Sequence, residues 1–74
     1  MTSENANATI RIQLNGEAQT LAAPATVATL VAVRSPRPPF AVEVNRQLVR
    51  RPCYERTALN DGDQVEIVTL VGGG

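Results

Sequence analysis

Few side chains in this chain can do chemistry, and what is missing constrains it more than what is present. Neither histidine nor lysine occurs, which removes a general base poised near neutral pH, a Schiff-base amine and a histidine-rich metal site. The one cysteine, Cys53, has Arg50, Arg51 and Arg56 as its only local help. A nucleophilic thiol needs a base or a clearly positive field, so a structural or incidental thiol is expected. Asp61, Asp63 and Glu66 faintly resemble an oxygen-ligand loop, but the other acidic positions and the spacing of a calcium loop are missing, and a turn is expected instead. Arg46, Arg50, Arg51 and Arg56 form either a partner-facing patch or a solvated rim, the rim being the commoner use of such a run.

That leaves the end of the sequence. "EIVTLVGGG" carries a strand pattern into Gly72, Gly73 and Gly74 with only Val71 between. Glycine has no Cβ, so three in a row make the slimmest chain there is, able to thread a channel too narrow for any side chain. From Val71 onward, four extended residues span about 13 Å. The reading is that the Gly74 carboxylate is the reacting group and that Val71, Gly72 and Gly73 enter a partner's active site. The alternative is a frayed end or an added remnant, which would be expected behind a polar spacer rather than directly behind a strand.

The rest of the composition says what such an end is mounted on. At 74 residues the chain fits one small domain spanning 1–74, with a thin core and a stability of a few kcal/mol, roughly the low end for single domains. Residues 1–7 read as a polar N-terminal extension and 71–74 as a flexible tail. Seven arginines cancel seven acidic residues, which leaves no net field to recruit nucleic acid or an anionic membrane. Phe40 and Tyr54 are the only aromatic residues, too few for a base-stacking platform. No signal peptide or membrane-length apolar run is visible, and a lone cysteine fits a reducing compartment, so a soluble cytoplasmic protein is expected.

Ile10, Ile12 and Leu14 alternate with polar residues, as in a strand with one buried face. Asn15-Gly16 then fits a type I′ hairpin turn, with "EAQTL" as the returning arm. Pro24 ends that arm, and Thr26 can cap a following helix. Within "VATLVAV", Val27, Leu30 and Val31 share a helical face, yet Val27, Thr29, Val31 and Val33 also alternate, so spacing alone leaves helix and strand both open. "RSPRPP" stops whatever precedes it. "FAVEV" is a strand with Phe40, Val42 and Val44 on one side, "QLV" a short strand, and "RRPCYERTAL" irregular with one helical turn near Thr57 to Leu59. "NDGD" is a turn, and "QVEIVTLV" is the last strand. The order strand, strand, helix, strand, short strand, strand gives an α+β domain, one helix against a mixed sheet. In the last strand Val65 and Ile67 share one face, which leaves Val68 and Leu70 outward beside the tail. Either a loop covers these two or they form a partner-binding patch.

The stretches "AVEVN", "LVRR" and "NDGDQVEIVTLVGGG" resemble the sulfur-carrier proteins of thiamin biosynthesis, the ThiS family of the MoaD/ThiS superfamily. The likeness covers the whole chain in element order and is most specific in Val42 to Asn45 and Gly62 to Gly74. It departs at Val49-Arg50-Arg51-Pro52, where relatives often place proline directly after the valine. The resemblance implies a ubiquitin-like β-grasp fold, a mixed sheet of four to five strands packed on one helix, and favours helix for Val27 to Val33. It implies a carrier and co-substrate rather than an enzyme, with no bound cofactor. An E1-like adenylating enzyme would use ATP to activate Gly74. Sulfur from a cysteine desulfurase or rhodanese persulfide would convert it to a thiocarboxylate, and thiazole synthase would receive the sulfur. The alternatives are the small subunit of molybdopterin synthase, which also ends in diglycine, a ubiquitin-like protein modifier, or a plain interaction module with an idle tail.

Overall fold

The computed structural model describes residues 8–70; the expected extension at 1–7 and tail at 71–74 lie outside them. Alternation and turn chemistry place the first hairpin, Thr9–Leu14 (β1) and Glu17–Ala22 (β2), paired antiparallel with Leu14 opposite Glu17. Asn15 and Gly16 take φ of 51° and 84°, the left-handed pair that a type I′ turn requires and that Asn and Gly tolerate best.

Past Pro24, the two-residue strand Ala25–Thr26 (β3) leads into the helix Val27–Arg34 (α1). Thr26 caps it from an extended backbone: the Thr29 amide donates to Thr26 Oγ1 at 3.3 Å and the Thr26 amide donates to Thr29 Oγ1 at 3.1 Å. This closed box satisfies end amides that would otherwise lack partners. The ambiguous "VATLVAV" is helix here, with Val27 and Leu30 buried in the core. Ser35, left-handed at φ 46°, ends the helix by donating its amide to Val31 O at 2.8 Å, and Arg34 in the last turn suits the negative end of the helix dipole.

Phe40–Val44 (β4), Gln47–Val49 (β5) and Gln64–Thr69 (β7) complete a five-stranded mixed sheet in the order β2-β1-β7-β4-β5, with Ala58–Leu59 (β6) pairing β3 in a separate ribbon. β7 lies in the centre, parallel to β1 and antiparallel to β4. The core is one cluster. Ile12, Leu14, Leu21, Val42 and Val65 from the sheet meet Val27 and Leu30 from the helix, with Ala25 and Leu59 from the ribbon. The expected α+β architecture of one helix on a mixed sheet is the one observed.

One local expectation is corrected. The helical turn sits not at Thr57 to Leu59 but earlier, as a 3-10 helix over Arg51–Arg56, while Ala58 and Leu59 are extended and pair with Thr26 and Ala25. Proline suits the first turn of such a helix, where an amide would lack a partner anyway, and Pro52 fills that place. At the other end Thr57 Oγ1 donates to Cys53 O at 2.7 Å, and Thr57 O accepts the Val27 amide at 3.0 Å. The second bond draws the chain out into β6.

Candidate functional site

The central strand β7 carries the chain toward its terminus, and two asparagines hold it from opposite sides. On the β1 side the pairing lasts only from Gln13↔Gln64 to Leu14↔Val65. Beyond it, the Asn15 amide donates to Val65 O at 2.9 Å, Asn15 Oδ1 accepts the Ile67 amide at 2.9 Å, and Asn15 Nδ2 donates to Ile67 O at 3.2 Å. A carboxamide carries one donor group and one acceptor, as a peptide unit does. Asn15 thus extends a backbone ladder with a side chain.

On the β4 side, the hairpin turn of Asn45 and Arg46, at φ 50° and 70°, repeats the arrangement. The Asn45 amide meets Gln64 O, Asn45 Oδ1 accepts the Gln64 amide at 3.0 Å, and Asn45 Nδ2 donates to Asp63 Oδ1 at 3.1 Å. The "NDGD" acids serve the turn before β7. Asp61 Oδ1 accepts the Arg11 amide at 2.7 Å and Asp63 Oδ2 accepts the Asn60 amide at 2.8 Å. Gly62 sits at φ +90°, where a side chain would be strained. These carboxylates are occupied as turn acceptors, the use the sequence pointed to.

At its far end β7 is tied once more: the Leu70 amide donates to Pro39 O at 2.8 Å. Val68 and Leu70 are 45% and 49% exposed, so no described loop covers them, whereas Val65 is buried and Ile67 packs on the core. The reactive-end assignments, Val71, Gly72, Gly73 and Gly74, lie outside the described residues. Cys53 is half-buried, with the Arg56 guanidinium donating to its sulfur at 3.6 Å. Arg46, Arg50, Arg51 and Arg56 are all exposed, as a rim would be. Among the described residues no group of three or more carboxylates and thiols converges as a metal site, and no helix is long and apolar enough to cross a membrane.

Sequence reasoning missed the asparagines as clamps and the outward pairing of Glu43 with Glu66, which the register sets directly opposite each other. The available signal was the repeated Asn-X turn. Strand neighbours, which no local pattern supplies, were needed to read it.

A five-stranded mixed sheet closed over one capped helix, with the last strand central and leading to the terminus, defines a ubiquitin-like β-grasp protein. The chain belongs to the ThiS family, whose sequence profile matches residues 12–74. It is similar to the thiamine biosynthesis protein ThiS of Geobacter metallireducens, with a TM-score of 0.74 at 26% identity over 88% of this chain and all of that one. It is 38% identical over 71 residues to the ycf40 protein of Porphyra purpurea, covering 92% of this chain and 97% of that one. It is also 38% identical over 68 residues to a thiazole synthase of Paramagnetospirillum magneticum, covering 88% of this chain but 20% of that protein. The chain therefore spans about a fifth of that relative's length.

Proposed function

We propose that this chain is a sulfur carrier of thiamin biosynthesis, working through a thiocarboxylate on Gly74. The observation that carries the reading is the family match, which runs through residues 12–74 and so includes the glycine end as well as the fold. The inventory agrees with it, since a body without histidine or lysine is suited to being acted on rather than acting.

A carboxylate is a poor electrophile. An E1-like adenylating enzyme would join the Gly74 carboxylate to the α-phosphate of ATP with loss of pyrophosphate, giving an acyl adenylate. A persulfide on a cysteine desulfurase or rhodanese would attack that carbonyl and expel AMP. A second thiol would then cleave the acyl disulfide, oxidising the two enzyme thiols to a disulfide and freeing the thiocarboxylate. Thiazole synthase is the acceptor this reading names, and a relative bearing that name contains a stretch similar to this chain. In this scheme the carrier holds no cofactor and is consumed and recharged. Val68 and Leu70, exposed beside the tail, are the proposed contact patch for the activating enzyme, with Val71, Gly72 and Gly73 entering its active site.

The test is a count of alkylated sulfurs after incubation with an activating enzyme, ATP and a sulfur source. Intact mass alone is ambiguous, because oxidation of Met1 adds nearly the same mass as replacing oxygen by sulfur. Cys53 takes one label and a charged carrier takes two; a single label under conditions that charge a known relative overturns the reading. A variant lacking Gly73 and Gly74 should take one label and fail to restore growth without thiamin. Val68→Asp and Leu70→Asp should weaken binding to the activating enzyme without unfolding the domain.

A further inference from the structure

The sheet has two edges, and they are built differently. β5, at one edge, is three residues long, with Arg46 just before it and Arg50, Arg51 and Pro52 just after it. Shortness, positive charge and proline are devices that keep a strand edge from pairing with another chain. β2, at the other edge, lacks all three. Its six residues, Glu17–Ala22, pair with β1 throughout and without a bulge, and Glu17, beside the turn, is the only charged residue among them. Pro24 follows only after the strand has ended.

A two-residue turn makes Leu14 and Glu17 a hydrogen-bonded pair, and at the far end of the hairpin the Ala23 amide donates to Ala8 O at 3.1 Å. Alternation between these points turns the amides and carbonyls of Glu17, Gln19 and Leu21 toward β1 and those of Ala18, Thr20 and Ala22 out of the sheet. All three outward residues are exposed. Among the described residues no strand pairs with this outward row. One carbonyl in it has a cover: Gln19 Nε2 donates to Thr20 O at 3.1 Å.

We propose that the β2 edge is a self-association site, on which a second copy of this chain adds its own β2 antiparallel about a twofold axis through Thr20. The outward row selects the register. Setting Thr20 opposite Thr20 of the second copy matches Ala18 with Ala22 on both sides of the axis and brings all three outward residues of each chain into the ladder, whereas a shift of two residues either way leaves one out. Gln19 then faces Leu21 and Glu17 faces Ala23, so no like charges meet. A partner of another kind finds little to read, because one carboxylate beside the turn and otherwise neutral side chains offer no charge pattern to complement. The same strand fits by symmetry. The guarded β5 edge keeps a neighbour's β2 from adding there, which would run on into a filament, so association closes at two chains. A single strand pair with small side chains falls at the low end of interface sizes, under about 1,200 Å², so the dimer is weak and concentration-dependent. β7 lies two places in from β2, which keeps it clear of the contact in both copies.

The experiment follows the full chain by sedimentation equilibrium from micromolar to millimolar concentration, in reductant so that Cys53 cannot bridge two copies. The average mass should rise toward two chains and stop there, while amide exchange at Ala18, Thr20 and Ala22 slows in step and exchange in Gln47–Val49 does not change. Ala18→Lys combined with Ala22→Lys sets like charges opposite each other on both sides of the axis, and Thr20→Pro removes the amide on the axis from each chain. Each should weaken association at least about 10-fold. Thr20→Pro breaks no bond within the chain, since that amide points out of the sheet. The two act through different chemistry, so if one fails to fold, as judged by melting of the dilute chain, the other remains the test. Gln19→Ala uncovers the Thr20 carbonyl in both copies and should tighten association about 10-fold. A chain that stays single at millimolar concentration overturns the proposal, as does growth beyond two chains or association that the folded edge variants leave unchanged. So does a Gln19→Ala chain that associates no better than wild type, because the central carbonyl is then outside the ladder. Protection of Ala18, Thr20 and Ala22 at high dilution also overturns it, since the edge is then covered by the chain itself. No partner enzyme enters the test, so its outcome is independent of the carrier reading.

Discussion

The turns at Asn15-Gly16 and Asn45-Arg46 flank the same strand and perform the same backbone task, yet they differ at the second residue. Both take the left-handed pair of conformations, and both turn an asparagine amide into an extra rung for β7. Gly16 is the residue that such a turn asks for: a Cβ built there meets nothing within 4 Å, so its φ of +84° is the whole reason for it. Arg46 occupies the matching position at φ 70°, where a side chain costs about 1–2 kcal/mol. The first turn is thus set by the fold, whereas the second gives up stability for a side chain beside Glu43 and Glu66.

That contrast can be broken or sharpened by substitution. The largest effect should come from Asn15→Ala, which removes both side-chain bonds to Ile67 where β1 has stopped pairing; about 2–3 kcal/mol is expected, read by urea or thermal unfolding. Asn45→Ala should cost somewhat less, about 1.5–2 kcal/mol, because β4 still pairs β7 from Val44↔Val65 to Phe40↔Thr69. If Asn45 proves the costlier loss, the clamps do not divide as described. Gly16→Ala should cost about 1 kcal/mol, roughly 4–8 °C in melting temperature, as a pure backbone effect. Arg46→Gly is the smallest and carries the opposite sign, a gain of up to about 1 kcal/mol in moderate salt that shrinks as salt is removed and the two glutamates repel unscreened. A gain that ignores salt would show that Arg46 does not offset the pair.

Much of this fold was legible because its local signals agree. Asn-Gly between alternating strands and "NDGD" before the last strand each specify one geometry, whereas "VATLVAV" admits helix or strand by spacing and is settled only in the structure, where Thr26 and Thr29 close a box at the helix start. The 3-10 helix at Arg51–Arg56 was not legible, because three residues per turn and a mixed run of arginines leave no periodic apolar stripe to read. The ribbon of β3 and β6 is two residues long on each side, too short for any alternation. Sheet order is a fact of long-range pairing, so neither the place of β7 at the centre nor the meeting of Glu43 with Glu66 could be derived from neighbours in sequence. Of the candidate site, the outward aim of Val68 followed from alternation alone. That the face also carries an acidic centre required the register.

The hydrogen bond from the Leu70 amide to Pro39 O fixes a zero point for measurement. Chain length after Leu70 becomes a ruler with a pinned origin, and each residue inserted or removed beyond it changes the reach by about 3.3 Å. On the carrier reading proposed above, an enzyme gripping the sheet would gauge its cargo by distance, and a terminus one residue longer or shorter should charge less well even when every atom of the grip is unchanged.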